Sequence, residues 1–380
     1  MKDLSVTRKE LDVIDNQMKE LFQKRLKLME DVVEYKMEVG KPIFDGERER
    51  QKLSSVTEDV EGAFTKQALT ELFCQMMAIG RKLQYQILCE SGKAAEYSFT
   101  SITKLQTDHV QIVYQGVEGA YSHAASLQVF GQEAQVRSVA TFEAAMEEVA
   151  EGRADYAVLP IENSRAGAVG DVYDLLMKYD NTIVAETYLR VEHCLLALPG
   201  TSFSDIRTVY SHPQGLMQCA GFMEKHREIQ QVSQSNTAVS ARKVVEDGDA
   251  SCGAIASELA GSLYGLEVLE RGISDDKNNT TRFIIVQKKK EYLADAQKIS
   301  ICIETEHVSG ALYNQLSHFI FNGLNMTKIE SRPIPDRAWE YRFYIDFEGN
   351  LSRPEVENAL FGLEKEASRL KILGNYSTRE

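Results

Sequence analysis

Residues 278–283 read Asn-Asn-Thr-Thr-Arg-Phe and run straight into Ile284-Ile285-Val286. Two amides, two hydroxyls and a guanidinium thus crowd the mouth of an apolar, β-branched run that predicts a buried strand. That set of donors suits a small anion, although a Thr pair can also simply begin a strand. Other loops have the same character: Glu162-Asn163-Ser164, Ser211-His212-Pro213-Gln214 and Ser235-Asn236-Thr237-Ala238. Each lies where a predicted strand gives way to a helix. Free backbone N–H groups at helix starts attract anions, and the same residue types also serve as ordinary caps. The loop Gly116-Val117-Glu118-Gly119 lacks the Gly-x-Gly-x-x-Gly of a dinucleotide site.

A second set of reactive residues lies near the start. Leu11, Ile14, Met18, Leu21, Leu28 and Val32 recur at three- and four-residue spacing, which predicts a helix from Arg8 to Gly40. At 1.5 Å per residue it would be about 50 Å long, too long for a compact unit of ninety residues unless two chains intertwine. Arg25 interrupts the apolar seam. A buried guanidinium needs either a glutamate from another helix or a bound anion. Lys36 shares its face, whereas Arg8 is turned away and lies about 25 Å along the axis. An Arg8 that served the same pocket would have to come from a second chain. A short helix from about Gly46 and a third over Ala63–Cys89 complete this segment.

The elements that must position these groups fall into three blocks: 1–92 all-helical, 108–288 α/β, and 297–380 α+β. Residues 91–108 lack any sustained period and read as a linker. In the last block, Lys298–Glu304, Asn325–Arg332, Tyr341–Phe347 and Leu370–Tyr376 predict strands, and Gly310–Phe321 and Pro354–Ser368 predict helices. The order βαββαβ is that of a split βαβ sandwich.

Charge and composition exclude several functions. The 380 residues carry a net charge of −14, which argues against a nucleic-acid partner. Residues 1–53 hold 12 Lys+Arg and 12 Asp+Glu, so the first segment is neutral and can offer local cations. No run approaches the roughly 20 apolar residues of a membrane span, and the charged start resembles no signal peptide. A cytoplasmic protein is expected. The six scattered cysteines have no Cys-x-x-Cys, and the seven histidines no His-Glu-x-x-His. Reduced thiols and no metal are expected.

Several of these motifs resemble known families. Arg8, Arg25, Lys36, Asp45, Arg48, Glu49 and Gln84, with Asp45-Gly46-Glu47-Arg48-Glu49, are similar to the pocket of the all-helical chorismate mutases. The resemblance implies that Arg8 (from a partner chain) and Arg25 clamp the carboxylates of chorismate. It further implies that Lys36 and Gln84 meet the ether oxygen, that Glu49 and the Asp45 backbone take the hydroxyl, and that Arg48 supports the cluster. Gly80 stands where a related enzyme of that family carries a serine. Glu162-Asn163-Ser164-x-x-Gly167, Ser211-His212-Pro213-Gln214 and Thr281-Arg282-Phe283 resemble the prephenate dehydratases. That implies two lobes like those of periplasmic binding proteins, the first from 110–190 and 265–287. Thr281 would assist the leaving hydroxyl, while Asn163, Ser164, Ser211, Gln214, Thr237 and Arg282 would hold prephenate. Gly310-Ala311-Leu312 and Glu330-Ser331-Arg332-Pro333 resemble the phenylalanine-binding motifs of an ACT regulatory domain.

Together these resemblances imply a bifunctional, cofactor-free enzyme of phenylalanine biosynthesis, at least dimeric and inhibited by L-phenylalanine. Two other readings remain open on the sequence. One is a non-catalytic two-lobed binding protein on a helical dimerisation arm. The other is a dehydrogenase, which would require the glycine-rich nucleotide loop that is absent.

Overall fold

The computed structural model describes residues 3–92, 97–335 and 337–379. Helix α1 spans Leu4–Val39, capped at its start by Asp3 and ended by Gly40 in the left-handed conformation. Helix α2, Gly46–Thr57, begins where the Asp45 carboxylate accepts from the Arg48 N–H at 3.0 Å. Helix α3 covers Ala63–Glu90. The predicted seam of α1 has little to cover it: Leu11, Ile14, Met18, Leu21 and Leu28 are 49–65 % exposed, and Val33 is fully buried. A single chain therefore leaves the α1 seam facing water.

The α/β region has two sheets. In the first lobe, Ile112–Gln115 lies parallel to Val136–Val139 and to Tyr156–Asn163. Thr280–Gln287 runs antiparallel between Tyr156–Asn163 and Thr182–Arg190. The second lobe is a five-stranded sheet in the order Glu267–Glu270, Cys194–Ala197, Cys252–Ala256, Thr208–Ser211, Gln230–Ser233. The expected first lobe is corrected here, because Glu267–Glu270 pairs with Cys194–Ala197 in the second lobe. The chain returns to the first lobe only after this strand.

The last block forms an antiparallel sheet in the order Met326–Pro333, Tyr341–Glu348, Lys298–Glu304, Arg369–Tyr376. Helices Ala311–Phe321 and Pro354–Glu366 pack on one face over Ile299, Ile301, Ile303 and Phe347, with Phe319 and Leu360 as their own core contributions. The opposite face meets the first lobe, where the Tyr344 hydroxyl donates to Tyr173 O at 2.9 Å. Arg369–Tyr376 also pairs in parallel with Thr182–Arg190 through Gly374 and Ile183, making one ten-stranded sheet of the two domains. A Cβ on Gly374 would sit 2.1 Å from Ile183 O, so only glycine permits this approach.

Two departures from the sequence reading concern connections. Thr100–Ile102, inside the expected linker, is a strand parallel to Glu291–Leu293. The first helical block also docks onto the last one: Tyr85 of α3 meets Phe361 edge to face at 5.7 Å, and Lys82 donates to Ser317 Oγ at 2.8 Å. Among the described residues no helix is long and apolar enough to cross a membrane.

Candidate active sites

Strand geometry brings Thr281 to a cleft of about 430 Å³ between the two lobes, together with Asn163, Gln214, Ser235, Asn236 and Thr237. Thr281 and Asn163 face each other on paired strands. The Asn163 amide donates to Thr281 Oγ at 2.9 Å and to Asn279 Oδ1 at 2.8 Å. Asn163 Oδ1 in turn accepts from the N–H groups of Arg165 and Ala166, at 3.0 and 2.9 Å, which locks its orientation. With one lone pair of Thr281 Oγ occupied by this amide, its O–H is left to donate elsewhere. Asn236 caps the Thr237–Asp247 helix, accepting from the Ala238 N–H at 2.8 Å, so that helix start also borders the cleft. No Asp, Glu, Lys or Arg is among the described residues lining it.

Three residues expected to hold substrate lie elsewhere. Arg282 follows Thr281 on a strand, so its side chain projects to the opposite face. There it is buried against Glu186 (2.7 Å), Asp346 (2.7 Å) and the Tyr376 hydroxyl (2.9 Å). Burial works against its charge, but Tyr376, Asp346 and Glu186 more than compensate and raise its pKa. Ser211 is fully buried, and its hydroxyl donates to Ile255 O at 2.7 Å on the neighbouring strand. Ser164 is exposed and ties two loops together, its Oγ accepting from the Thr280 N–H at 3.0 Å.

The sequence reading also missed groups in the cleft. His193 is 1 % exposed, with Nδ1 3.0 Å from the Tyr121 hydroxyl and Nε2 2.9 Å from Gln218 Oε1. Burial pushes its pKa down despite the opposing Gln218 bond, so the ring stays neutral. Tyr121, His193 and Gln218 come from distant segments with no spacing to connect them. Outside the cleft, Arg165 pairs with Asp276 at 3.1 Å in an adjoining hollow that shares Ala166, Gln214 and Gln218.

The helical block assembles a different kind of site. Arg25 Nη1 donates to Met76 O at 2.8 Å, and Lys36 Nζ donates to Ile43 O at 2.6 Å. Neither forms an ion pair among the described residues, so Arg25 has no glutamate partner among them. Burial lowers the pKa of both; Glu49 opposes this for Arg25, and Asp45 and Glu49 oppose it for Lys36. Gly80 lies beside Arg25, a Cβ there being 3.4 Å from Nη1. Gln84 is buried on the same face of α3, its Nε2 donating to Gly80 O at 3.0 Å. Arg48 and Asp45 sit exposed at the start of α2, and Arg8 is exposed towards the far end of α1. Two half-buried cations whose hydrogen bonds among the described residues go to carbonyls, with a carboxylate and an amide nearby, form a candidate anion site.

Known proteins decide between the open readings. The prephenate dehydratase family profile matches residues 112–291, and the chorismate mutase type II profile matches residues 7–85. A bifunctional chorismate mutase/prephenate dehydratase of Aquifex aeolicus is 32 % identical over 99 % of this chain and 98 % of its own length. The chain belongs to this bifunctional family. Among solved structures, a prephenate dehydratase from Arthrobacter aurescens in complex with L-Phe superposes with a TM-score of 0.66 at 31 % identity, covering 70 % of this chain and 90 % of its own. Another, described as a quorum-quenching acylase, gives 0.65 at 34 % identity, with 70 % and 97 % covered.

In this bifunctional chain the last block carries the residues expected to bind an effector. Gly310 caps the Ala311–Phe321 helix at φ +81°, a conformation that disfavours any other residue. Ala311 and Leu312 form the first turn of that helix, with Leu312 packed against the core. Along the edge strand Met326–Pro333 side chains alternate: Ser331 is exposed, whereas Arg332 turns inward to Asp174 of the first lobe at 2.5 Å. The expectation that Arg332 is available to an effector is therefore corrected. Glu330 is half-buried, and Lys328 beside it reaches Glu162 at 2.6 Å. A hollow of about 720 Å³ lies between this domain and the first lobe, lined by Glu143, Asp171, Asp174, Arg342 and Arg369, and shares Gln115 and Phe142 with the cleft.

Proposed function

We propose that the helical block rearranges chorismate to prephenate and that the two-lobed cleft converts prephenate to phenylpyruvate. The rearrangement needs no nucleophile and no proton relay, only a clamp on the compact conformer and stabilisation of charge growing on the ether oxygen. Arg25 and a second chain's Arg8 would grip the two carboxylates as planar forks. Lys36 and Gln84 would donate to the ether oxygen, and Glu49 would accept the substrate hydroxyl. The working unit is then a homodimer or larger homo-oligomer, in which the exposed seam of α1 is covered, and its setting is the cytoplasm.

In the dehydratase step the bond to the ring carboxylate breaks and its electron pair completes the aromatic ring. The ring C–O bond breaks, and hydroxide leaves as water with a proton delivered at Thr281 Oγ. The observation that carries this reading is the Thr281 hydroxyl, held as a donor by Asn163 in a cleft whose described lining holds no Asp, Glu, Lys or Arg. Gln214, Asn163 and the start of the Thr237–Asp247 helix would orient the substrate. The last block would act as an ACT module in which Gly310, Ala311, Leu312, Glu330 and Ser331 take part in binding L-phenylalanine.

The test is incubation with chorismate alone, without added cofactor. Phenylpyruvate is the expected product, and its absence with chorismate intact would favour a binding protein. Thr281→Ala should lower conversion of supplied prephenate about 10²- to 10⁴-fold and leave chorismate consumption unchanged. Gly310→Val, strained at φ +81°, should remove sensitivity to phenylalanine while the dehydratase keeps working. Calorimetry with no phenylalanine binding to the parent protein would make the last block purely structural.

A further inference from the structure

Arg81 on α3 is 6 % exposed and has no place in either proposed substrate set. Its guanidinium bridges two carboxylates from opposite ends of the chain. Nη1 pairs with Glu49 of α2, and Nε pairs with Glu366 at the end of the Pro354–Glu366 helix at 2.7 Å. Phe44 stacks on the same guanidinium at 5.2 Å from its ring centre. Glu366 is itself shared, lying 3.3 Å from His318 Nε2 on the Ala311–Phe321 helix. Burial raises the Glu366 pKa, but the neighbouring His318 and Arg81 outweigh this and hold it at about 2.

A planar guanidinium can address two carboxylates along different edges, which an ammonium cannot do with the same fixed geometry. Glu49 is the only carboxylate in the Arg25–Lys36 cluster that also reaches Arg81 among the described ion pairs. Its position is therefore set from behind by a side chain that is anchored in another domain.

We infer that Arg81 is a positioning residue of the mutase site, fixing Glu49 through Glu366, so that the C-terminal domain completes the helical active site. This rests on the mutase reading of the helical block given above. Loss of Glu366 leaves Arg81 free to swing, and Glu49 then meets the substrate hydroxyl in a less defined orientation. Arg81 touches no substrate and acts only through Glu49.

The experiment uses the full chain and five variants: Glu366→Gln, Arg81→Lys, Arg81→Met, Glu49→Gln and the double variant Glu366→Gln/Glu49→Gln. Chorismate consumption and conversion of supplied prephenate are measured separately, the second serving as a check of folding. Glu366→Gln should lower mutase kcat/KM roughly 2- to 30-fold and leave the dehydratase unchanged. Arg81→Lys, which keeps the charge but not the fork, should retain more activity than Arg81→Met. In the Glu49→Gln background, Glu366→Gln should have little further effect, because both changes break the same link. Unchanged mutase kcat/KM in Glu366→Gln, or effects that multiply independently in the double variant, would overturn the inference. A parent protein that does not consume chorismate would instead overturn the mutase reading itself.

Discussion

The two proposed sites handle negatively charged substrates in opposite ways. The helical site gathers Arg25 and Lys36, half-buried and without ion-pair partners among the described residues, beside Glu49 and Gln84. The described lining of the cleft is made of hydroxyls, amides, aromatic rings and two imidazoles, with no Asp, Glu, Lys or Arg. The chemistry explains the contrast. A rearrangement keeps both carboxylates charged throughout, so fixed cations can hold substrate and transition state alike, while in the proposed reading Lys36 and Gln84 would respond to the ether oxygen. A decarboxylation discharges one carboxylate as CO₂, and a tight cation on that group would stabilise the starting state more than the transition state. The sites differ in completeness too. The proposed cleft residues come together within one chain, whereas the proposed helical site would need Arg8 from a second chain and borders an uncovered apolar seam.

That contrast is broken or sharpened first at the helical site. Arg25→Ala and Arg8→Ala should each lower mutase turnover by about 10²- to 10³-fold and spare the dehydratase. If Arg8 reaches a second chain's pocket, refolding equal amounts of the two variants together should restore about a quarter of parental activity. Half the dimers are then mixed, with one intact site of two. No recovery on mixing would place Arg8 outside the pocket. The equivalent experiment on Thr281→Ala with any cleft variant should recover nothing.

A smaller effect separates the two faces of the Thr280–Gln287 strand. Removing the guanidinium in Arg282→Leu leaves Asp346 without an ion-pair partner among the described residues, and leaves Glu186, fully buried, with Lys298 alone. A loss of about 3–5 kcal/mol in stability is expected, read as a lowered melting temperature. The folded fraction should bind prephenate with KM within about twofold of the parent. A raised KM with unchanged melting would return Arg282 to the substrate.

The smallest effect is on pH. Glu366 is held at about 2 against an ordinary value of 4.5. A depressed carboxyl gives stability that is fully present above its unfolded value and is lost as pH falls from about 4.5 towards about 2. The expected contribution is at most about 3 kcal/mol at neutral pH. Hydrogen exchange of α3 should accelerate through this acid window, and Glu366→Gln should flatten the response. Exchange in α3 that ignores this range would detach Glu366 from the junction.

Much of the architecture is visible in the sequence where the signal is local. Gly40, Asp45 and Asn236 end or begin their helices as expected, and the βαββαβ order follows from periodicity and turns. What escaped depends on partners far along the chain. Arg81 meets Glu366 across 285 positions, and nothing near either residue announces the other. Glu267–Glu270 reads as the same strand whichever sheet receives it, so its lobe could not be assigned from residues 265–287 alone. Arg282 is a different case. Strand alternation already forbids consecutive residues from sharing a face, and treating Thr281-Arg282-Phe283 as one unit concealed that constraint. Ser331-Arg332 repeats the lesson on the edge strand.

The seam at Gly374 and Ile183 bears on how the molecule comes to be made. Strand Thr182–Arg190 cannot acquire its last neighbour until residues about 190 positions later have left the ribosome. Glu186 must wait as well, since its buried carboxylate is neutralised by Arg282 and Lys298 and receives a bond from the Thr378 hydroxyl at 2.9 Å. The helical arm has mostly local contacts and can fold early in synthesis, whereas pairings of such long range form slowly. Until then the first lobe exposes an unpaired strand edge with a charge destined for burial, the kind of surface on which nascent chains associate wrongly. A chain stalled before residue 369 should therefore have a folded arm and an aggregation-prone lobe, and that interval is when a chaperone would have most to do.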